Sequence, residues 1–380
     1  MKILHIGKYY PPFHGGIENF MCSLMEQQKL GGHKVSAVVH HHELNKKYKY
    51  EIDNGIQLYK VPIIGTLIYA PIAPLFFYYL SKTIKKEKPD IIHIHMPNLS
   101  AFFCLLLFRA RNTPWVIQWQ SDVLGAVPDV KVKFAYPFYR FFEKLLLKKT
   151  AKIIVATPPY AKASTPLKGF ENKVKIIPLA LADQSFPLDR KNNTQKSVLS
   201  LLIIGRLTYY KGHALLISAL AQLKARGIPL SLKIVGSGEL KAELVQLVNT
   251  LQLNEEVELL GKLSDDALNA ELASTDLLCL PSIEKTEAFG VVLLEAMRAS
   301  KPCLVSDVQG SGMSWVVQKN KTGFVVKHNC VESLVDELTF IHQNQELLMN
   351  YGNAGRKRFE KHFDIKAVSC KVIKLYQSIL

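Results

Sequence analysis

The sequence predicts an α/β fold made of two Rossmann-like, doubly wound domains that face each other across a cleft. Short β-branched runs alternate with helical patterns along the chain, which is typical of parallel sheets covered by helices. The length of 380 residues exceeds what one hydrophobic core usually serves. A polar stretch at residues 181–196 interrupts the alternation midway. We therefore predict one domain at residues 1–185 and a second at residues 186–362.

The first half begins with a strand at Lys2–Gly7, which a Pro- and Gly-rich turn joins to a helical pattern at Ile17–Leu30. Gly31 and Gly32 follow that pattern, as glycines often do at the end of a helix. Five later β-branched runs predict further strands of the same parallel sheet, namely Lys34–Val39, Asp90–His95, Trp115–Trp119, Lys152–Ala156 and Lys175–Ile177.

The second half repeats the alternation, with a strand at Val198–Ile204 followed by a helix at His213–Arg226. Further strands are predicted at Leu230–Val235, Val257–Leu260, Leu277–Leu280 and Cys303–Val305. Helices are predicted between them at Leu240–Leu251, Asp265–Ala273 and Val291–Ala299. Because open parallel sheets bind ligands beyond the carboxyl ends of their strands, functional residues are expected there.

Composition and cysteine placement indicate a globular protein of a reducing compartment. Hydrophobic residues make up 48% of the chain and charged residues 21%, which argues against a disordered protein. The six cysteines are scattered without a Cys-x-x-Cys pair, so neither a disulfide framework nor a zinc site is expected. The chain opens directly on a strand with no signal-peptide pattern, and we therefore expect a cytoplasmic protein.

An uncharged segment at residues 61–80 is long enough to span a bilayer. Pro62, Pro71 and Pro74 interrupt it, which favours a loop followed by a short buried or interfacial helix. A transmembrane span remains the alternative.

The net charge of +16 is concentrated in the first half of the chain. Residues 1–190 carry 26 Lys and Arg against 13 Asp and Glu, whereas the remaining residues carry 22 against 19. This asymmetry indicates an anionic partner for the first half, either a membrane surface or nucleic acid. No nucleic-acid recognition motif accompanies the basic residues, so nucleic-acid binding is not expected.

Aromatic residues alternate with cations between residues 131 and 152. This composition suits the headgroup region of an anionic membrane. A solvated helix that packs its aromatic residues inward has the same pattern and is the alternative. The charge asymmetry favours peripheral attachment to a membrane.

Glu287 and Glu295 are the most informative pair of residues in the chain. They flank a Phe-Gly step and an apolar run, which predicts a helix with Gly290 near its first turn. One carboxylate then stands before the helix and the other about two turns, roughly 12 Å, along it. The free N–H groups of the first turn form an anion site between them, which suits a sugar diphosphate. Two solvated glutamates on an amphipathic helix are the alternative.

Glycines and cations also stand at the ends of predicted strands. The segment Gly-Arg-Leu-Thr-Tyr-Tyr-Lys-Gly at residues 205–212 places Arg206 and Lys211 where two cations can bind one diphosphate. Gly15 and Gly16 occupy the corresponding position after the first strand, where glycine lets the backbone approach a phosphate closely. Solvated surface charges and an unliganded turn are the alternatives.

Together these motifs resemble the retaining nucleotide-sugar glycosyltransferases of the group 1 family, also called family 4, which have the GT-B fold. The resemblance covers nearly the whole chain, and the motifs stand in the family's order. They are Pro11-Pro12-x-x-Gly15-Gly16-Ile17-Glu18, Asp90-x-x-His93-x-His95, Gly205-Arg206…Lys211-Gly212 and Glu287-x7-Glu295. The last two motifs, taken together, are the most specific.

The resemblance implies transfer of a hexosyl group from a UDP- or GDP-sugar to a saccharide or lipid-linked saccharide. A polyprenyl-diphosphate-linked acceptor at the inner face of the membrane fits the basic first half, as in synthesis of bacterial lipopolysaccharide, capsule or exopolysaccharide. No metal or resident cofactor is expected, because the nucleotide sugar is a co-substrate. The diphosphate that leaves would accept the acceptor's proton.

By the same resemblance, the second domain binds the donor and the first domain binds the acceptor, with a last helix at residues 363–380 packing back on the first domain. The catalytic residues would be Arg206 and Lys211 at the diphosphate and Glu287 at the donor sugar. Further donor contacts would come from Gly15, Gly16, Lys262, Leu263, Phe289, Gly290, Val291 and, at the ribose, Glu295. Near the sugar or the acceptor, the resemblance places Glu18, His95, Gln120 and Asp122.

Two positions depart from the family pattern. Many relatives have a histidine where Gln120 stands, and glutamine can donate and accept a hydrogen bond but cannot titrate. Glutamine would preserve activity if this residue only orients the sugar. If the residue acts as a general base, glutamine would abolish that function. The second departure is Gly310–Met313, where relatives often carry an acidic residue shortly after a glycine pair.

Two other classes of protein remain open. The first is a nucleotide-sugar epimerase or hydrolase on the same fold, which would release free sugar without an acceptor. The second is a non-catalytic protein that binds nucleotide sugars or lipids. The intact cations and carboxylates argue against the second class, and Gln120 is the one feature in its favour.

Overall fold

The structure, a computed structural model, describes residues 1–13, 15–44, 46–67, 70–123, 130–183 and 197–380. The chain folds into two compact units. The N-terminal unit comprises Met1–Ala182 and Ile365–Leu380, and the C-terminal unit comprises Asp183–Asp364. The sequence placed these boundaries at residues 185 and 362. Most of the stretch predicted as a linker, residues 184–196, lies outside the described residues.

The N-terminal unit is built on a mainly parallel sheet. Its strands are β1 (Lys2–Ile6), β2 (Lys34–His40), β3 (Lys49–Asp53), β4 (Ile56–Val61), β5 (Gly65–Leu67), β6 (Ala70–Ile72), β7 (Ile91–Met96), β8 (Trp115–Trp119), β9 (Lys152–Val155) and β10 (Val174–Ile176). Its first helices are α1 (Gly16–Leu30), α2 (Phe76–Glu87), α3 (Phe108–Arg111), α4 (Val130–Lys149) and α5 (Pro158–Ala163).

The main sheet of this unit has the strand order β10-β9-β8-β7-β1-β2-β4-β3. Only β3 runs antiparallel to its neighbour, β4, among the described strands of this sheet. The chain winds outward in both directions from β1, so the order reverses between β1 and β7, as in a doubly wound fold. Every residue of β7 is buried, as expected for a central strand with both faces covered.

Two hairpins of this unit were not predicted from the sequence. Asn54 and Gly55 both have positive φ and form the two-residue turn between β3 and β4. The uncharged residues 61–80 contain the end of β4, the short pair β5 and β6, and the start of α2. In the parts of the chain that the structure describes, no helix is long and apolar enough to cross a membrane.

The C-terminal unit is built on a second parallel sheet. Its strands are β11 (Leu199–Ile204), β12 (Leu230–Val235), β13 (Val257–Gly261), β14 (Leu277–Leu280), β15 (Cys303–Ser306) and β16 (Gly323–Val326). Its helices are α6 (His213–Ala225), α7 (Lys241–Thr250), α8 (Asp265–Ser274), α9 (Val291–Arg298), α10 (Met313–Val316), α11 (Val331–Gln343) and α12 (Glu346–His362). The last helix of the chain, α13 (Ile365–Gln377), belongs to the N-terminal unit.

The sheet order β13-β12-β11-β14-β15-β16 is the Rossmann order, with its reversal between β11 and β14. A core of Leu, Ile and Val side chains from β11, β12, α6 and α11 buries one face of the sheet. This packing fixes the strands, so the loops at their carboxyl ends are held in place.

The loops after β11 and β12 pack so closely that only glycine fits at their contact. A Cβ atom on Gly236 would lie 1.9 Å from the carbonyl oxygen of Gly205, and one on Gly238 would lie 2.4 Å from that of Leu207. The N–H of Leu207 also donates to the carbonyl of Ser237 at 3.0 Å. The loop that carries Arg206 is thereby fixed against its neighbour.

Candidate functional site

The candidate site of the C-terminal unit lies where the strand order reverses, at the carboxyl ends of β11 and β14. Residues 205–212 follow β11 and residues 281–290 follow β14. The N–H of Ile283 donates to the carbonyl of Tyr210 at 2.8 Å, and the hydroxyl of Tyr209 donates to the carboxylate of Glu284 at 2.8 Å. The two loops are therefore joined into one structure.

Lys211 and Glu287 form an ion pair at the centre of this site. Each side chain is only 12% exposed, so water screens the pair less than it screens a surface pair. Gly212 has a φ of +76°, and a Cβ there would lie 2.1 Å from the carbonyl oxygen of Pro281. Glycine therefore lets the loop that carries Lys211 approach the loop that carries Glu287.

Arg206 is the exposed cation of the site. It follows Gly205 at the end of β11 and makes no ion pair with any residue that the structure describes. Its loop is fixed by the glycine contacts described above, so the guanidinium is attached to a rigid edge. A guanidinium of this kind can bind the oxygens of a phosphate through two parallel hydrogen bonds.

The helix α9 begins beside the ion pair. Gly290 is its N-cap and has a φ of +78°, a conformation that favours glycine. Phe289 is buried, and Val291 is the first residue of the helix, so the N–H of Val291 has no acceptor within the helix. The N–H groups of the first turn carry partial positive charge and can accept an anion.

The segment Gly310–Met313, one of the two departures from the family pattern, supports the loop of Glu287. The hydroxyl of Ser311 donates to the carbonyl of Glu287, and the N–H of Gly312 donates to the carbonyl of Ala288 at 2.9 Å. Ser311 is almost fully buried. The segment therefore acts on Glu287 by holding its backbone, a role that the sequence did not suggest.

Glu295 lies closer to the start of the helix than the sequence suggested. Since α9 begins at Val291, Glu295 is four residues, or about 6 Å of helix rise, from that end. Glu287 lies in the preceding loop, so the predicted separation of two helical turns is wrong. Desolvation raises the pKa of Glu295 to about 7, although the positive charge of Arg298 opposes the shift.

We predict that Glu295→Gln stabilises the unliganded protein above neutral pH. Because folding raises the pKa from 4.5 to about 7, the stability that this carboxyl group contributes is present at low pH and is lost as the pH rises through 7. Glutamine has the same shape as glutamate but no charge, so its burial does not carry the cost of removing a charge from water. In urea denaturation, the variant should therefore have a higher unfolding free energy than the parent at about pH 8, and the difference should be smaller at about pH 5. A variant less stable than the parent at the higher pH would contradict the prediction.

Lys262 and Leu263 follow β13, at the same edge of the sheet. Lys262 is exposed, and Gly261 before it has a φ of +70°. The carbonyl of Gly261 accepts a hydrogen bond from the N–H of Gly236 at 2.8 Å. This turn is thereby tied to the glycine loop that supports Arg206.

Two hydroxyl residues of this edge were missed in the sequence. Thr208 lies between Arg206 and Lys211 in the sequence, and Ser282 follows β14. Both residues are buried. Neither side-chain oxygen has a hydrogen-bond partner among the residues that the structure describes. Buried hydroxyls without a partner often contact a ligand or an ordered water. Their position in loops at the ends of predicted strands could have indicated a role in ligand binding.

In the N-terminal unit, Gly15 and Gly16 start α1 after β1. Glu18 is buried in the first turn, and a Cβ on Gly15 would lie 2.2 Å from its carboxylate. Glycine at residue 15 therefore leaves room for the carboxylate to fold back over the start of the helix.

Three buried histidines share one face of the N-terminal sheet, His5 on β1 and His93 and His95 on β7. The Nε2 of His5 lies 2.8 Å from the amide oxygen of Gln28, which can only accept, so His5 carries its proton there. Its Nδ1 therefore accepts from the Nε2–H of His95 at 3.0 Å. The hydroxyl of Tyr376 on α13 lies 2.5 Å from Nδ1 of His93.

Burial keeps these imidazoles neutral. It lowers the pKa of His5 to about 4 and lowers the pKa values of His93 and His95 well below their usual range. One ring nitrogen from each lies within 4.8 Å of the other two, the one such metal-sized group among the described residues. Most of their nitrogens already serve the hydrogen-bond network, so we interpret the cluster as a core network that binds α13.

Gln120 and Asp122 both follow β8 but differ in their surroundings. Gln120 is buried, and neither atom of its amide has a hydrogen-bond partner within the described part of the chain. Asp122 accepts hydrogen bonds from the indole of Trp119 at 2.9 Å and the hydroxyl of Ser164 at 2.6 Å. Asp122 therefore holds the loop after β8, whereas Gln120 keeps a donor and an acceptor for a ligand or a water.

Two sheets with Rossmann topology, one in each unit, are those of the GT-B glycosyltransferases. Among solved structures, the chain is similar to Anabaena Alr3699/HepE in complex with UDP and glucose, with a TM-score of 0.72, 19% identity and complete coverage of both chains.

Family models match both units of the chain. The model described as "Glycosyl transferase 4-like domain" matches residues 15–180, and the model described as "Glycosyl transferases group 1" matches residues 185–358. The O-antigen chain mannosyltransferase C of Escherichia coli is 27% identical, covering all of this chain and 99% of the relative. A phosphatidyl-myo-inositol mannosyltransferase of Mycolicibacterium smegmatis is 23% identical, covering all of this chain and 94% of the relative. The chain belongs to the group 1 glycosyltransferases.

Proposed function

We propose that this glycosyltransferase moves a hexosyl group from a UDP- or GDP-sugar to a saccharide acceptor with retention of anomeric configuration. The observation that carries the proposal is the partly desolvated Lys211–Glu287 pair beside the N-terminus of α9. A sugar diphosphate offers negative charge to a cation and hydroxyl donors to a hydrogen-bond acceptor. The pair supplies both.

The proposed donor site extends from this pair. Arg206, Lys211 and the first turn of α9 bind the diphosphate, and Glu287 accepts hydrogen bonds from hydroxyls of the sugar. Glu295 accepts from the ribose hydroxyls. Further contacts come from the backbones of Phe289, Gly290 and Val291 and from Lys262 and Leu263.

In the proposed reaction, the bond between the sugar C1 and the diphosphate oxygen breaks, and the acceptor oxygen bonds to C1 on the same face. The acceptor's proton passes to the leaving diphosphate oxygen, so no protein base is required. Lys211 and Arg206 stabilise the negative charge that develops on the diphosphate. These two cations supply the charge that a metal supplies in other transferases, and we propose that no resident metal or cofactor is needed.

The N-terminal unit is proposed to bind the acceptor. Glu18, His95 and Gln120 belong to this unit, and Gln120 has a buried amide available for a hydroxyl group. His95 is buried in the histidine network, so we assign it a supporting role. Asp122 supports the loop that carries Gln120.

We propose a lipid-linked saccharide as the acceptor, at the cytoplasmic face of a membrane and in the synthesis of a surface polysaccharide. The matched relatives act, by their names, on O-antigen chains and on phosphatidyl-myo-inositol. An acceptor attached to lipid also fits the concentration of positive charge in residues 1–190.

Calorimetric titration of UDP and of GDP, without divalent metal, tests the donor site. We expect micromolar binding of one nucleotide and a loss of about 10–100-fold in Arg206→Ala, because a hydrogen bond to a charged group contributes about 1.5–3 kcal/mol. Arg226→Ala, which removes an exposed arginine just after α6, is the matched control and should bind normally. If the parent bound neither nucleotide, the proposed function would be wrong.

A further inference from the structure

Exposed aromatic and aliphatic side chains of the N-terminal unit lie on α2, α3 and α4, which all pack against a short 3-10 helix at Leu99–Leu105. Phe108 of α3 is 76% exposed, and Phe138 and Phe141 of α4 are 71% and 59% exposed. Phe77 at the start of α2 and Leu106 before α3 are exposed as well. We call this surface the aromatic face.

Ring contacts connect α2 and α4 to the segment that contains Phe102 and Phe103. Phe77 packs on Phe103 with ring centroids 5.8 Å apart, and Phe102, next in the chain, packs on Phe142 of α4 at the same distance. Phe142 in turn packs on Phe138 at 5.1 Å. The two sets of ring contacts meet at the adjacent residues Phe102 and Phe103, so α2 and α4 pack against the same short segment of chain.

The helix α4 is apolar on two sides. Leu146 and Leu147 are fully buried on its inner side. Phe138, Phe141 and Leu145 follow one another at helical spacing on its exposed side. The sequence left open whether the aromatic residues between 131 and 152 point inward or outward. Among the described ones, some are exposed and others are partly buried. The side chains of Lys131, Lys133 and Phe134 lie outside the described residues.

The charge on the aromatic face has one sign. Within residues 75–88, 99–112 and 136–149, all described, the two carboxylates are Glu87 and Glu143, which are buried and paired with Lys34 and Arg140. Exposed cations of the same segments include Lys82, Lys85, Arg109, Arg111, Lys144 and Lys148. A hollow of about 250 Å³ beside Phe108 is lined by Arg109 and Lys88. Its two cations suit a phosphate.

We propose that the aromatic face binds the surface of an anionic lipid bilayer. Aromatic rings insert at the level of the headgroups, and the cations around them are attracted to anionic lipids. No exposed carboxylate in the described segments of this face repels those lipids. Double-stranded nucleic acid, which proteins contact mainly at its phosphates, would use the cations but not the exposed phenylalanines.

The aromatic face would bring the enzyme to a lipid-linked acceptor. This role of the face depends on the proposed function, whereas the binding of lipid itself does not. Lipid binding and nucleotide binding are measured separately, so either can fail without the other.

Co-sedimentation of the full chain with vesicles tests the proposal. Vesicles of phosphatidylcholine with phosphatidylglycerol should bind the protein at least about tenfold more tightly than vesicles of phosphatidylcholine alone. The triple variant Phe108→Ser, Phe138→Ser, Phe141→Ser should lose at least about tenfold in affinity for the anionic vesicles. Phe340→Ser, an exposed phenylalanine on α11 of the other unit, is the matched control and should bind as the parent does.

A second variant, Arg109→Glu with Lys144→Glu, keeps the rings and reverses two charges, and should lose the preference for anionic vesicles. Circular dichroism spectra and thermal unfolding curves like those of the parent show that each variant is folded, whether or not the proposed donor site binds a nucleotide. Equal binding of the parent to both vesicle types, or unchanged binding of the folded triple variant, would overturn the proposal. So would a parent that dimerises in solution while the triple variant is monomeric, since the face would then bind a second copy.

Discussion

Replacing Lys211 by alanine is expected to lower kcat for glycosyl transfer by about 10²–10³-fold and to weaken binding of the nucleotide as well. Lys211 lies in a loop fixed by Gly212 and is largely shielded from water by its contact with Glu287. Its charge therefore acts on the leaving diphosphate with little screening. Because negative charge on that group increases as the sugar departs, the lysine stabilises the transition state more than the bound substrate.

Steady-state kinetics with a UDP- or GDP-sugar and calorimetry with the nucleotide measure both effects. Lys357→Ala, an exposed lysine on α12, is the control and should behave as the parent does. Lys211→Ala leaves Glu287 without its partner, so Lys211→Met, which keeps the length of the side chain, serves as a second variant. A folded Lys211→Met protein with an unchanged kcat would contradict the catalytic role.

The order of strands and helices could be predicted from the sequence because hydrophobic periodicity records it directly. Every strand predicted in the C-terminal half, such as Val198–Ile204, is present as β11 to β15. The hairpin of β3 and β4 was not predicted, although its Asn54-Gly55 turn is a signal. The edge strand β3 is largely polar and exposed, and in β4, which is mostly buried, Gln57 and Lys60 interrupt the apolar pattern. The final strand β16 was also not predicted, although it has the same length of four residues as β14 and β15.

The candidate site could be predicted only in its local parts. Spacing along the chain indicates that Glu287 and the N-terminus of a helix are neighbours, since both lie in one segment. The ion pair with Lys211 joins loops after two different strands, and this contact depends on the sheet order β11-β14. The hydrogen bond from Ser311 to the carbonyl of Glu287 also joins distant segments, and it uses the backbone of Glu287, which no residue pattern encodes.

Replacing Glu287 by glutamine is expected to separate binding from catalysis. In the unliganded protein, Glu287 neutralises Lys211, so a diphosphate must compete with a carboxylate for the same ammonium group. Glutamine removes that competition, and the affinity for UDP or GDP should stay the same or increase. Transfer should nevertheless fall by at least about 10²-fold, because the hydrogen bonds from the sugar lose their charged acceptor where the transition state depends on them.

Lys211→Ala should therefore lower nucleotide affinity and Glu287→Gln should not, although both variants lower kcat. Calorimetry with UDP or GDP and kinetics with the matching sugar nucleotide, on the same preparations, distinguish them. If Glu287→Gln lost nucleotide affinity as Lys211→Ala does, Glu287 would serve mainly to position the lysine. If it kept both affinity and kcat, the carboxylate would not contact the sugar. Tight nucleotide binding with slow transfer is the result that only a carboxylate acting on the sugar explains.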